Sequence, residues 1–417
     1  MDFNLTETQR TLIERTVAFA RAELNDGFAD REASAQFGAQ EWLRCGQFGL
    51  LGAAVPTEFG GWGLDRLTAA MVFEAFGKGC RDGGLGFSAG AHAFACAGPL
   101  AQFGAEDVCR RWLPALASGA AIGAHAVTER HAGSDTASIQ ARATPTRDGY
   151  HVRAGKVFVT NAPIAQVFLV LASTNPQHGV LGTTAFVVER EWSGVNVGPS
   201  VQFSGLRTSP IGALDVDCEV PHSHCLGGPG RGRAVFEAAM EWERTCLFAF
   251  WLGALDRQLE ETADFAKTRQ QFGRPIGANQ AISHRVADMK MRLETGRLLL
   301  YRACWEADAG RSSAMSISLA KLAISEAAVQ SSIDSIQIHG AGGVVRGAGP
   351  EGYLRDAIAG TIYSGTSEMH REIVARALGL PFQRPPSSPD RTRLARPQEA
   401  ECADPEAAAT TGPVPSL

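Results

Sequence analysis

"YHVRAGKVFVTNAP", residues 150–163, marks the point where the chain changes texture. It is a β-branched and aromatic run broken by Gly155, Asn161 and Pro163, the composition from which strands are built. Similar short runs surround it: "VFLVLAST" (167–174), "GTTAFVVER" (182–190), "VNVGPSV" (195–201) and "ALDVDCEVP" (213–221). Together they predict an antiparallel β domain over residues 125–230. Before it, residues 1–124 are mostly helical in period. Leu5, Leu12, Ile13, Val17 and Ala20 share one apolar face, and "WLRCGQFGLLG", "LTAAMVFEAFG" and "VCRRWLPALASG" follow. After it, residues 231–381 return to long amphipathic runs at 233–269, 279–308, 312–338 and 366–378. Helix, then sheet, then helix, with no βαβ alternation, makes the fold α+β and not doubly wound.

Composition narrows the function. The chain has 417 residues, a formal net charge of −5 and no Lys/Arg run before its tail, which argues against nucleic acid or an anionic membrane as partner. The amphipathic N-terminus has no signal-like apolar core, and no apolar stretch is long enough to span a bilayer, so a cytoplasmic location is expected. Nine cysteines, an odd number with no C-x-x-C, suit reduced thiols. "DCEVPHSHC" (217–225) gathers Cys218, His222, His224 and Cys225, but Pro221 and the glycines that follow read as a strand leaving into a loop, and no metal site is expected. The tail, 382–417, is rich in Pro, Ala, Ser and charge and is expected to be disordered.

Three small-residue clusters sit at the joints: "TERHAGSD" (128–135), "QIHGAGG" (337–343) and "SGTSE" (364–368). None follows a strand inside a βαβ unit, so the dinucleotide fingerprint does not apply. Each still offers closely approachable backbone N–H groups, hydroxyl donors and an adjacent helix start, which suit a phosphate or a flavin.

In combination these segments resemble the acyl-CoA dehydrogenase family over residues 1–380. "AVTERHAGSD" is similar to its A-x-T-E-P-x-x-G-S-D segment, "GKVFVTNA" to G-x-K-x-x-I-T-N, and "TRQQFGRPIGANQ" to R-x-x-F-G-x-P-I-x-x-x-Q. "QIHGAGG" with "RDAIAGTIYSGTSEM" resembles Q-x-x-G-G-x-G with R-D and I-Y-E-G-T-S-E. Arg130, His131, Phe158 and Ser364 depart from the pattern, the last replacing a glutamate. The resemblance implies a C-terminal four-helix bundle and FAD held between the β domain and the C-terminal helices, partly across a subunit contact. His125, Val127, Thr128, Gly133, Ser134, Phe158, Val159 and Thr160 would then line the flavin. Arg269, Gln271, Phe272, Gln280, Gln337, Gly340 and Ala341 would reach FAD held mainly by a neighbouring subunit, and Thr366 and Glu368 the FAD of their own.

The implied reaction removes the proton α to a thioester while hydride leaves the β carbon for the flavin. It needs donors on the thioester oxygen and a carboxylate on the opposite face. Serine at position 364 cannot supply that carboxylate. Glu243 can: it interrupts the apolar helix "RAVFEAAMEWERTCLFAFWLGAL" among Ala239, Met240, Cys246 and Leu247, where burial would raise its pKa. Isovaleryl- and long-chain-type members of the family carry their base on this helix. Ser364 would keep a mainly backbone role. Ser134, Glu241, Arg244, Ser364 and Gly365 are the implied substrate-side residues, although Glu241 lies about 200° around the helix from Glu243. The competing role for Glu243 is an ion pair with an arginine.

The expected activity is α,β-dehydrogenation of an acyl thioester on CoA or an acyl carrier protein. Its electrons would pass to an acceptor such as an electron-transfer flavoprotein, and its assembly would be a homodimer or homotetramer. A flavin monooxygenase, a nitroalkane-oxidase-like enzyme and a non-catalytic FAD-binding partner remain as alternatives on the same fold.

Overall fold

In the computed structural model, which describes residues 4–347 and 349–381, helices run as far as Ala117, strands occupy 123–226, and helices resume at Gly232. The α+β order read from composition is the order of the fold. The tail expected to be disordered, 382–417, lies outside the described residues.

Eight strands form the sheet: β1 (Gly123–Ala126), β2 (Arg142–Pro145), β3 (Gly149–Thr160), β4 (Val167–Ser173), β5 (Thr183–Glu189), β6 (Val195–Val197), β7 (Ile211–Pro221) and β8 (Cys225–Leu226). Their order is β6-β7-β3-β2-β4-β5-β8, with β1 added on β4. Most pairings are antiparallel, but β1 and β2 both run parallel to β4. β1 enters from the helical segment and leaves through the long loop 127–141 instead of a hairpin, so no tight turn forces it to reverse.

The centre of the sheet is dry on both sides. Every residue of β4 and β5 is buried. Their side chains alternate between two cores: Phe168, Val170, Phe186 and Val188 join one, and Val167, Leu169, Ala185 and Val187 join the other. Continuous apolar runs are what strands covered on both faces require.

Among the C-terminal helices, Phe248–Thr268, Gln280–Asp308 and Ala314–His339 pack on one another, and Pro350–Gly360 and Ser367–Ala377 pack on the last of them. The expected run 233–269 is realised as helix Gly232–Trp242, a π-helical stretch Glu243–Leu247 and helix Phe248–Thr268. Helix Pro350–Gly360 was not among the amphipathic runs. Its proline stands in the first turn, after Gly349 at φ 104°.

A buried acidic joint links helical and sheet segments. Asp82 caps helix Gly83–Gly90 by accepting from Leu85 N at 2.9 Å and from the Thr208 hydroxyl. Asp356 accepts from Leu206 N at 2.6 Å, and its other oxygen lies hard against Gly83. Asp356 keeps some exposed surface, but its carboxyl group is enclosed, and burial pushes its pKa from 3.8 up to about 7. A pKa raised in the folded state means stability that is fully present at acid pH and lost as pH climbs through 7. Asp356→Asn should therefore gain stability over the parent as pH rises from 5 to 8, by about 1–2 kcal/mol at the alkaline end. Thermal unfolding of both proteins across that range checks it; a difference independent of pH would defeat the assignment.

Candidate active site

The 364–366 turn lies over the π-helical stretch. Ser364 has φ 56° and Gly365 φ 99°, so the chain reverses sharply after Tyr363. This presents the Ser364 hydroxyl to Glu243, and Ser364 Oγ donates to Glu243 Oε1. Beyond the mainly backbone role expected for Ser364, its side chain engages the carboxylate. The reason is the left-handed turn, which aims Oγ inward at the helix.

Glu243 is 8% exposed. Burial pushes its pKa up, while the Ser364 bond, then Arg244 and Lys321, pull it back. It forms no salt bridge among the described residues. Arg244 instead turns its Nε to Ser364 O at 2.8 Å. The ion-pair role for Glu243 is therefore not what the side chain does. A π bulge often marks a functional position on a helix, and this one starts at Glu243. Aromatic rings keep the surroundings dry: Tyr363 lies 4.6 Å from Phe87 and 5.1 Å from Phe248, and its hydroxyl accepts from Trp251 Nε1 at 2.6 Å.

The turn is clamped from below. His370 Nε2 is 3.2 Å from Ser364 O, and Lys321 Nζ donates to Gly365 O at 2.7 Å. Thr366 caps helix Ser367–Ala377 through Met369 N. Lys321 and His370 were not among the sequence candidates. Lys321 carried a signal like that of Glu243, a cation among apolar and small residues of a helix ("SISLAKLAISEAA", 316–328). Glu241 points elsewhere, pairing with Arg66 at 3.3 Å. That agrees with its angular separation from Glu243 and removes it from the residues gathered at the turn.

A second cluster lies on the sheet. Lys156 is fully buried on β3 and donates to Val127 O at 2.9 Å and Glu129 Oε1 at 2.7 Å. Glu129 also accepts from Gln140 N and Ala141 N, and Val157 N donates to Thr128 O. These bonds tie loop 127–141 to β3. They bring Thr128 beside the irregularity between Lys156 and Val159, where β3 shifts register. There Phe158 stands 60% exposed at φ 55°, next to half-buried Thr160. Val159 faces the core at 2% exposure. His125 and Val127 are half-buried, while Gly133 and Ser134 are exposed on the loop.

The remaining candidates lie at the surface of the C-terminal helices. Arg269, Gln271, Gln280, Gln337, Gly340, Ala341 and Glu368 are exposed, and Phe272 is 98% exposed at φ 52° on a two-residue-paired hairpin. Apart from Glu368, whose charge reaches Lys321, they do not join the Glu243 cluster within one chain.

Models of the acyl-CoA dehydrogenase N-terminal, middle and C-terminal domains match residues 6–120, 124–218 and 230–379. This chain belongs to the acyl-CoA dehydrogenase family of FAD-dependent oxidoreductases. It is 47% identical to L-prolyl-[peptidyl-carrier protein] dehydrogenase from Pseudomonas fluorescens, over 91% of this chain and 100% of that one. Among solved structures it is similar to PigA with FAD and proline (TM-score 0.89, 42% identity, 91% of this chain and 100% of that one). It is also similar to the prolyl acyl carrier protein oxidase AnaB (TM-score 0.88, 36% identity, 90% and 100%).

The buried Lys156–Glu129 pair generates a stability prediction. Glu129→Gln leaves the Lys156 ammonium without its counter-charge and should cost about 3–5 kcal/mol, while Glu129→Gln with Lys156→Met should recover part of that loss. Denaturant melts of the two single variants and the double variant measure the coupling. Simple additivity of the single losses would sink the pairing.

Proposed function

We propose that the chain is an FAD-dependent dehydrogenase of an acyl thioester tethered to a carrier protein, with a prolyl group as the acyl unit. Supporting the tether and the ring are the prolyl-carrier relatives above. The observation that carries the chemistry is the unpaired, buried Glu243 carboxylate bonded to Ser364 where the family's usual glutamate would stand.

The sheet residues fit a flavin. An aromatic ring held in the open at a register shift, with the hydroxyl-bearing Thr128 and Thr160 beside it, gives a flat stacking surface and donors for a heteroaromatic rim. His125, Val127, Gly133, Ser134, Phe158, Val159 and Thr160 would hold the ring system, and Thr366 and Glu368 the phosphate and adenine side. Bound FAD supplies a two-electron acceptor for hydride from the β carbon.

Glu243 takes the α proton onto its carboxylate. Its dry surroundings make it a stronger base than a solvated glutamate, and the Ser364 hydroxyl fixes the acceptor oxygen. The Ser364 amide is the donor for the thioester oxygen, and the aromatic ring around Tyr363 excludes water. Arg244 and Ser134 serve the phosphopantetheine arm. An electron-transfer flavoprotein is the proposed acceptor, and the cytoplasm the proposed compartment. No helix among the described residues is long and apolar enough to cross a membrane. The three segments 1–124, 125–230 and 231–381 are proposed as the working domains.

Anaerobic mixing with prolyl-carrier protein should bleach the oxidised flavin, whereas simple acyl-CoAs should do so slowly. Glu243→Gln should keep FAD and slow this bleaching by about 10²–10⁴. Ser364→Ala should slow it by only about 2- to 10-fold, the worth of one hydrogen bond, and move the acid limb of the pH profile upward because that bond lowers the Glu243 pKa. Wild-type bleaching by Glu243→Gln would refute the base assignment.

Assembly follows from exposure. Phe272, almost wholly in solvent, stands beside Arg269 and Gln271, and we propose that a neighbouring copy covers them with its flavin as a homodimer or homotetramer. Light scattering should return at least twice the 44.2 kDa chain mass. A monomer with full FAD would rule this out.

A further inference from the structure

We infer that Lys321 is a positioning residue for the proposed dehydrogenation: it clamps the 364–366 turn through the Gly365 carbonyl and supplies the positive charge that holds the buried Glu243 ionised. The inference rests on Glu243 being the base.

Geometry carries it. Lys321 is 0% exposed, on helix Ala314–His339, and Nζ donates to Gly365 O at 2.7 Å. The ammonium also stands 5.2 Å over the Phe248 ring, one wall of the aromatic group around Tyr363. Long cations are seldom fully buried without a task, because removing an ammonium from water is expensive. The Gly365 carbonyl is poor compensation by itself, as a neutral side chain would bond it at lower cost. What repays the burial is a nearby negative charge.

The charges facing Lys321 come from several elements. The π-helical stretch contributes Glu243 and Arg244, its own helix Glu326, and helix Ser367–Ala377 contributes Glu368 and His370. Glu243 favours the charged lysine and Arg244 opposes it. Burial, first among the causes, brings the Lys321 pKa down from 10.5 to about 8. In turn Lys321 is one of the charges that pull Glu243 back from its raised value. Arg244 shares that duty, but its Nε is committed to Ser364 O, so the two cations hold successive carbonyls of one turn. The trans peptide then directs the amides of Gly365 and Thr366 away from the clamps.

A purely structural lysine would affect stability but not the titration of Glu243. In the FAD-loaded enzyme, Lys321→Met should lower the limiting rate of flavin reduction by about 10-fold or more, with the acid limb displaced upward and the fall above pH 8 abolished. Lys321→Arg should restore most of the rate. A second readout needs no turnover: an infrared titration of the Glu243 carboxyl band, assigned by its loss in Glu243→Gln. In the wild-type enzyme this band should shift when Lys321 titrates near pH 8, and in Lys321→Met its midpoint should rise with no alkaline step. If Lys321→Met does not fold, the wild-type alkaline step alone decides. A missing step, or an unchanged midpoint in a folded Lys321→Met, overturns the inference. Full activity of Glu243→Gln would instead overturn the base assignment, so the two failures separate.

Discussion

The proposed base, Glu243, has to be both dry and ionised, and the contacts around the 364–366 turn are arranged about that constraint. Dryness strengthens Glu243 as a base and at the same moment favours its neutral form. The fold meets the conflict with one short hydrogen-bonding contact and two cations held slightly away. Ser364 bonds an oxygen directly, while Arg244 and Lys321 act through charge and spend their own hydrogen bonds on the turn. A cation in direct contact would have quenched the basicity that burial creates. Turn and carboxylate are therefore one unit: the cations that bond the backbone of 364–366 are also charges that lower the Glu243 pKa.

The sheet solves a parallel problem with opposite means. Lys156 and Glu129 are in direct contact, because their work is to anchor the 127–141 loop and not to exchange protons. Buried pairs of this kind are poor sources of net stability but strongly resist being half-broken, which suits a loop whose Thr128 is held beside the register shift of β3. The same chain thus holds one buried ion pair in contact and one buried carboxylate, the proposed base, out of contact with its cations.

Much of this was legible in the sequence. The α+β order followed from the change of texture at 150–163, where short β-branched and aromatic runs replace the helical period. Glu243 was legible as a lone carboxylate on an apolar helix face, and its partner turn because "SGTSE" breaks a helical pattern. What was not legible depends on backbone detail. The π bulge at Glu243 leaves no mark in periodicity, and the inward aim of the Ser364 hydroxyl follows from φ 56°, which a serine does not advertise. Lys321 was readable by the rule that found Glu243. Its carbonyl partner lies 44 residues away, beyond any helical spacing. The parallel pairing of β1 and β2 with β4 depends on chain crossovers that strand composition does not encode.

The serine at 364 is more than the absence of a glutamate. A glutamate there would bring a second carboxylate within reach of Glu243, and two carboxylates that close cannot both ionise in a dry site. One would hold a proton and the other would be a weaker base than either alone. A base on the helix therefore requires a neutral residue on the turn, and a donor is better than an apolar one because it fixes the acceptor oxygen without adding charge. Serine meets both conditions while tolerating the left-handed backbone at modest cost. The sequence reads as a swapped position, but physically it is an exclusive choice: the pocket supports one carboxylate, and the hydroxyl opposite secures it.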